Sequence, residues 1–116
     1  MIHLLVNAVV HTMDPSVPVS QALAVKDGRI VEIGGTDEIL WLREDEYELI
    51  DLEGDTVVPG GVDASGAYAI RGTLTPGQSA DFLVLSDDPL TTQPADQRAI
   101  HVVQAWVGGR RIMVRP

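Results

Sequence analysis

Cysteine is absent from this 116-residue chain, which removes disulfides, thiolate chemistry and cysteine-based zinc sites together. Cations are scarce as well. Lys26 and seven arginines stand against 17 acidic residues, leaving a net charge of −9. Phosphates attract clustered Lys and Arg, so neither nucleic acid nor an anionic membrane is expected as a partner. Aromatic residues make up only 4% of the chain, and no aromatic-lined groove for a foreign ligand is visible. No apolar run approaches the ~20 residues that span a bilayer, and the N-terminus lacks the basic region and cleavage site of a signal peptide. The expectation is a soluble, cytoplasmic protein.

Length sets the next bound. A chain of this size makes one domain that buries roughly two thirds of its unfolded surface. It falls well short of the about 250 residues of a complete eightfold β/α barrel.

What is present is a succession of short Val-, Ile- and Leu-rich segments separated by Gly, Pro and Asp, a spacing that reads as β structure. "IHLLVNAVVHTM" predicts one long strand or a bent pair, ended at Asp14-Pro15. "QALAVKDGRIVEIG" predicts a hairpin turning at Asp27-Gly28, a dipeptide that tolerates the positive φ angles of a type I′ turn. "HVVQAWVGGRRIMV" predicts a second, turning at Gly108-Gly109 and setting Trp106 opposite Arg111 as a stacking pair, worth at most about 1 kcal/mol if exposed. "YELIDLEGDTVVPGG" reads as strand, turn and strand, and "ADFLVLS" as a buried strand. Helical signals are few: Thr36 as the cap of "DEILWLRED", with Asp37 and Glu38 in its first turn, and one turn of "PADQRAI" after Pro94. About eight strands with one or two short helices predict a mainly all-β sandwich or partly open barrel.

Chemical candidates are thin. His3, His11 and His101 each fall in or beside a strand, and none has a second ligand-type residue at metal spacing. Lys26 precedes a turn and reads as solvated. Ser65 lies in "DASGA", outside any nucleophile elbow, and "IGGTDE" fits neither phosphate-binding fingerprint. The acidic run "REDEYELIDLEGD" reads as a solvated face, and Asp88-Pro89 as a turn. No active site assembles from these residues alone.

Longer motifs carry a resemblance. "LLVNAVVHTMDP", "ALAVKDGRIVEIGGTDEI" and "LIDLEGDTVVPGGVDA" are similar to the opening of metal-dependent amidohydrolases, and "GTLTPGQSADFLVLSDDPLT" with "IHVVQAWVGGRRI" to their closing segment. The ending, together with "GAYAI", most resembles the subfamily of N-substituted formamide deformylase-like enzymes. The resemblance implies a small β-sandwich, the composite domain, made from the two ends of the chain, with a metal-binding barrel inserted between them. Family members place x-Asp-x-His-x-His after Pro-Gly, and both histidines bind metal. Here Asp63 matches, whereas Ser65 and Ala67 occupy the histidine positions. "SGAYAIRG" is similar to the last barrel helix, and the stretch from Ile70 to Leu74 is tighter than the family pattern.

These features imply a single composite domain spanning 1–116, built from 1–62 and 72–116, with 63–71 as a junction in place of the barrel. The expected function is that of a scaffold, with no catalytic, cofactor-binding or metal-ligating residue in this chain. The parent family uses zinc or a similar divalent metal to hydrolyse C–N bonds of amides and formamides. Two alternatives stay open: a residual amidohydrolase acting with a barrel-donating partner, and a small protein-interaction module. Val62, Ala67, Tyr68 and Ile70, left without a barrel, suggest a homodimer, with 63–71 exchanged between subunits as one form of it.

Overall fold

Asn7 adopts a positive φ of 58°, a conformation that its short polar side chain tolerates, and this bends the first apolar run into two strands. β1 (Ile2–Val6) and β2 (Val9–His11) consequently join different sheets. The same happens in the fourth segment of the sequence pattern. β6 (Tyr47–Asp51) runs parallel to β1, and β7 (Thr56–Val62) runs parallel to β2. Both segments thus cross from one sheet to the other side by side, tied by Gly54 N–H donating to Asn7 O at 2.7 Å and by Asn7 Nδ2 donating to Asp51 Oδ1 at 3.1 Å.

The computed structural model describes residues 1–114. Arg115 and Pro116, the end of the span expected for the domain, lie outside the described residues. The remaining elements are β3 (Val19–Ser20), β4 (Ala22–Lys26), β5 (Arg29–Gly34), α1 (Thr36–Leu40), β8 (Tyr68–Ile70), β9 (Phe82–Leu85), a 3-10 helix (Pro94–Ala99), β10 (Val102–Val107) and β11 (Arg110–Val114). One sheet has the order β5-β4-β1-β6, and the other β11-β10-β9-β7-β2-β3 with β8 added beside β7. Neither path closes on itself. The fold is all-β with two short helices. No helix among the described residues is long and apolar enough to cross a membrane.

Leu5, Leu23 and Val25 from the smaller sheet and Val57, Phe82, Val84 and Trp106 from the larger one share a buried cluster, so the two sheets face each other across one core. Alternate residues on β1 and β4 point the opposite way, where Ile39 of α1 covers Leu4, Val6, Ala22 and Ala24. Each large side chain so buried contributes roughly 1.5–3 kcal/mol. The helix departs from its sequence reading. Gly35 is its N-cap, because Glu38 Oε1 accepts from Gly35 N–H and the Thr36 hydroxyl accepts from Asn7 N–H instead. It ends at Leu40, leaving Trp41 85% exposed.

Trp106 does lie opposite Arg111, with the guanidinium 5.4 Å from its ring. It is not exposed, however: 1% of it is accessible, and it is among the largest fully buried side chains. Phe82 stacks on it at 5.3 Å, His3 meets it edge-on at 5.5 Å, and its Nε1–H donates to Gln104 Oε1 at 3.0 Å. Glu48 on β6 completes the arrangement by accepting from His3 Nδ1 at 2.8 Å and from Arg111 at 2.6 Å. This links an edge strand of one sheet to an edge strand of the other. Burial pushes the Glu48 carboxyl up, but the His3 and Arg111 hydrogen bonds outweigh it and hold the group below the ordinary glutamate value.

The two predicted hairpin turns form as expected, with positive φ at Asp27, Gly28, Gly108 and Gly109. They also touch. A Cβ on Gly109 would sit 2.6 Å from Gly28 Cα, and one on Gly28 would sit 3.0 Å from Gly108 O.

Two outcomes follow from this packing. Gly109→Ala is expected to cost roughly 1–3 kcal/mol more than Gly54→Ala, because both carry the positive-φ strain but only the first is overpacked. Thermal unfolding of the two variants checks this, and equal losses would show that the contact between turns carries no weight. A folded-state pKa below the ordinary 4.5 means that ionised Glu48 stabilises the fold above pH 4.5 and loses that contribution as pH falls through its depressed value. The urea midpoints of wild type and Glu48→Gln are therefore expected to differ at pH 5.5 and to converge toward pH ~3. A constant difference across that range would contradict the pairing.

Candidate functional site

The region of interest is the junction between the two halves of the sequence. β7 starts in the larger sheet, flanked by β2 and by β9, whose Leu85 to Phe82 oppose Thr56 to Pro59. Beyond Pro59 it leaves that sheet and pairs with β8 instead: Gly60 with Ile70, Gly61 with Ala69, Val62 with Tyr68. Gly60 has φ 143°, and a Cβ there would collide with the carbonyl oxygen of Ala69. Only glycine permits so close a backbone approach. Pro59 O accepts from Arg71 N–H at 3.1 Å and closes the base of the hairpin.

Asp63 closes the tip. One of its carboxylate oxygens accepts from Ser65 N–H, the Ser65 hydroxyl and Ala67 N–H at 2.9, 2.6 and 3.1 Å. The Ser65 bonds in particular hold the Asp63 carboxyl below the usual carboxylate range. "SGAYAIRG", which resembles a barrel helix, is thus a turn and a strand in this chain. An isolated helix so short would lack a stable nucleus, whereas β7 offers a ready template for pairing.

Ser65 and Ala67, at the positions where the family carries histidines, lie exposed at this tip. The four apolar residues expected to lose their cover divide. Ala67 is exposed, while Val62, Tyr68 and Ile70 are half-buried against Val58, Leu83, Leu85, Ile100, Val102 and Ala105. The hairpin folds back and covers part of the larger sheet's outer face.

The histidines lie far apart in the fold. His3 belongs to the Trp106 cluster, and His11 is nearly buried and bonds through Nε2 to Asp88 Oδ2 at 2.8 Å. Asp88 also accepts from Leu90 N–H, so the "SDDPL" turn is anchored to β2 as well as being a turn. His101 is exposed, with its N–H donating to the Ser86 hydroxyl. Lys26 pairs with Glu44 at 2.7 Å on the surface, and this partner raises its pKa. Sequence order gives no sign of these pairings, since the histidine partners lie 45 and 77 residues away. Among the described residues no group of three or more His, Cys, Asp or Glu is placed to hold a metal ion. Asp63, engaged by its own turn, does not add to such a group.

Beside the hairpin a groove of about 580 Å³ opens on the outer face of the larger sheet. Val62, Leu83, Ala105, Val107 and Ile112 supply its apolar lining, and Arg71, Gln78, Ser79 and Asp81 its polar groups. No sequence motif marked Arg71. Its significance comes from the return of β8 alongside β7.

Residues 64–113 match the profile of the Amidohydrolase family. The chain is 30% identical over 97 residues to the exoenzymes regulatory protein AepA of Pectobacterium carotovorum, covering 84% of this chain and 20% of that protein. It is 38% identical over 89 residues to the N-substituted formamide deformylase of Arthrobacter pascens, covering 77% of this chain and 16% of that enzyme. Among solved structures, an uncharacterized metal-dependent hydrolase from Pyrococcus furiosus is 25% identical, with a TM-score of 0.46 over 54% of this chain and 14% of the other. The chain spans a fifth or less of the length of these two curated relatives. It belongs to the metal-dependent amidohydrolase superfamily.

Proposed function

We propose that this chain is a non-catalytic composite domain, a scaffold of the amidohydrolase type from which the metal-binding barrel has been deleted. The observation that carries the proposal is the course of β7. It pairs with β9 from beyond the junction, then turns through a short hairpin of its own where the family resemblance implies an inserted barrel. A domain tolerates an insertion where its chain ends lie close together, and the same closeness permits the reverse. Residues 1–62 and 72–116 act as one unit in this reading, because the larger sheet draws β2, β3 and β7 from one part and β9, β10 and β11 from the other. The parent activity, hydrolysis of amide or formamide C–N bonds, would need a donor set that the described residues do not assemble. A catalytic zinc takes about three protein ligands and an open position for water.

The hairpin leaves Val62, Tyr68 and Ile70 only half-buried, and the partner proposed for this surface is a second copy of the chain, with exchange of 63–71 between subunits as one form of the homodimer.

Two measurements test the proposal. Purified protein dialysed without chelator is expected to hold well under one equivalent of zinc or iron and to leave formamides and N-acyl amino acids intact. Stoichiometric metal or turnover by the pure chain would overturn the scaffold reading. A single copy has a radius of gyration of 13.3 Å, and small-angle scattering is expected to give a larger value, as for a homodimer. A concentration-independent value near that of the single copy would rule the dimer out.

A further inference from the structure

The groove beside the hairpin has the volume of a small-ligand site. Its volume of about 580 Å³ lies within the ~300–1,000 Å³ typical of such sites, which are mostly apolar with a few placed polar groups. Its charged groups are not equivalent. Asp81 is already engaged, accepting from Gly108 N–H at 2.7 Å. Among the described residues the Arg71 guanidinium, like those of Arg29, Arg43, Arg98 and Arg110, makes no ion pair, and of these five it is the one that lines the groove.

Arg71 runs alongside Gly61: a Cβ built there would lie in ordinary van der Waals contact with Arg71 Nη2, at 3.4 Å.

We propose that this groove binds a small monocarboxylate with a short apolar tail. Arg71 takes the carboxylate with its planar fork of N–H donors, a geometry that suits bidentate pairing. Val62, Val107 and Ile112 take the tail, and Val107 and Ile112, now 52% and 62% exposed, lose water contact when the ligand is in place. A phosphate ester fits less well. It brings up to two negative charges to a single guanidinium in a protein of net charge −9. The proposal goes beyond the scaffold reading and does not depend on it, since the groove needs neither metal nor reaction.

Titration of isotopically labelled protein with hexanoate, followed by amide chemical shifts, tests the proposal. Saturable shifts are expected at Gly60, Gly61, Arg71 and Ala105, with a dissociation constant of about 0.1–3 mM for a ligand of this size. Arg71→Gln, at an exposed position, is expected to weaken hexanoate at least tenfold while leaving thermal unfolding unchanged. Ile112→Ser is expected to weaken hexanoate severalfold and acetate little. Hexylamine and hexanol serve as charge controls and are expected to bind at least tenfold more weakly. The proposal is overturned by linear, unsaturated shifts up to 20 mM hexanoate, by unchanged affinity in Arg71→Gln, or by hexylamine binding as well as hexanoate. Scaffold behaviour is measured separately, by metal content and turnover, so either reading can fail without the other.

Discussion

Contact between two glycine turns is the constraint on which this structure depends. The turn at Asp27-Gly28 belongs to a hairpin of the smaller sheet, and that at Gly108-Gly109 to a hairpin of the larger one. Residues Ser79 to Asp81 run between them. Ala80 N–H donates to Gly28 O at 2.9 Å, Gly109 N–H donates to Ala80 O at 3.0 Å, and the Asp81 carboxylate accepts from Gly108 N–H. Side chains at the tips would force the turns apart and break this bonding. Their absence sets the spacing of the sheets at one end of the sandwich. Behind the contact lies the Phe82–Trp106 stack, so the backbone lock and the largest aromatic burial reinforce each other.

The two sheets are also joined where the chain crosses between them. β1 continues into β2 and β6 leads through a tight connection into β7, both bending near Asn7 and Gly54. Parallel pairing survives on each side of the bend. Glu48 supplies a further tie through His3 and Arg111. These groups are partly exposed, so the pairing is screened and adds specificity of register more than bulk stability. Apolar burial does the larger share of the work.

The hairpin of β7 and β8 covers part of the larger sheet's outer face. A sheet with one face against the core leaves its other face to be covered or made polar. Here Val58, Leu83, Leu85 and Val102 remain apolar, and the returning strand with the 3-10 region shields them. The cover is incomplete, and the groove is the part left open.

Much of the fold was legible in the sequence because its signals are local. Asp27-Gly28 and Gly108-Gly109 between alternating apolar runs specify hairpins whatever surrounds them, and the register of Trp106 with Arg111 follows from the turn length. The apolar run at Phe82–Leu85 reads directly as a strand buried on both faces. The resemblance carried by the flanking motifs placed the chain in its superfamily. Tertiary structure decided what depends on distant partners: that the glycine turns meet, that Trp106 is buried between Phe82 and His3, and that His11 anchors the Asp88 turn. It also decided that "SGAYAIRG" is a turn and the short strand Tyr68–Ile70, because pairing with β7 outweighs a weak local helical preference. Arg71 became visible last. Periodicity and turn chemistry concern neighbours in the chain, whereas the room beside Gly61 exists only once the hairpin has folded back.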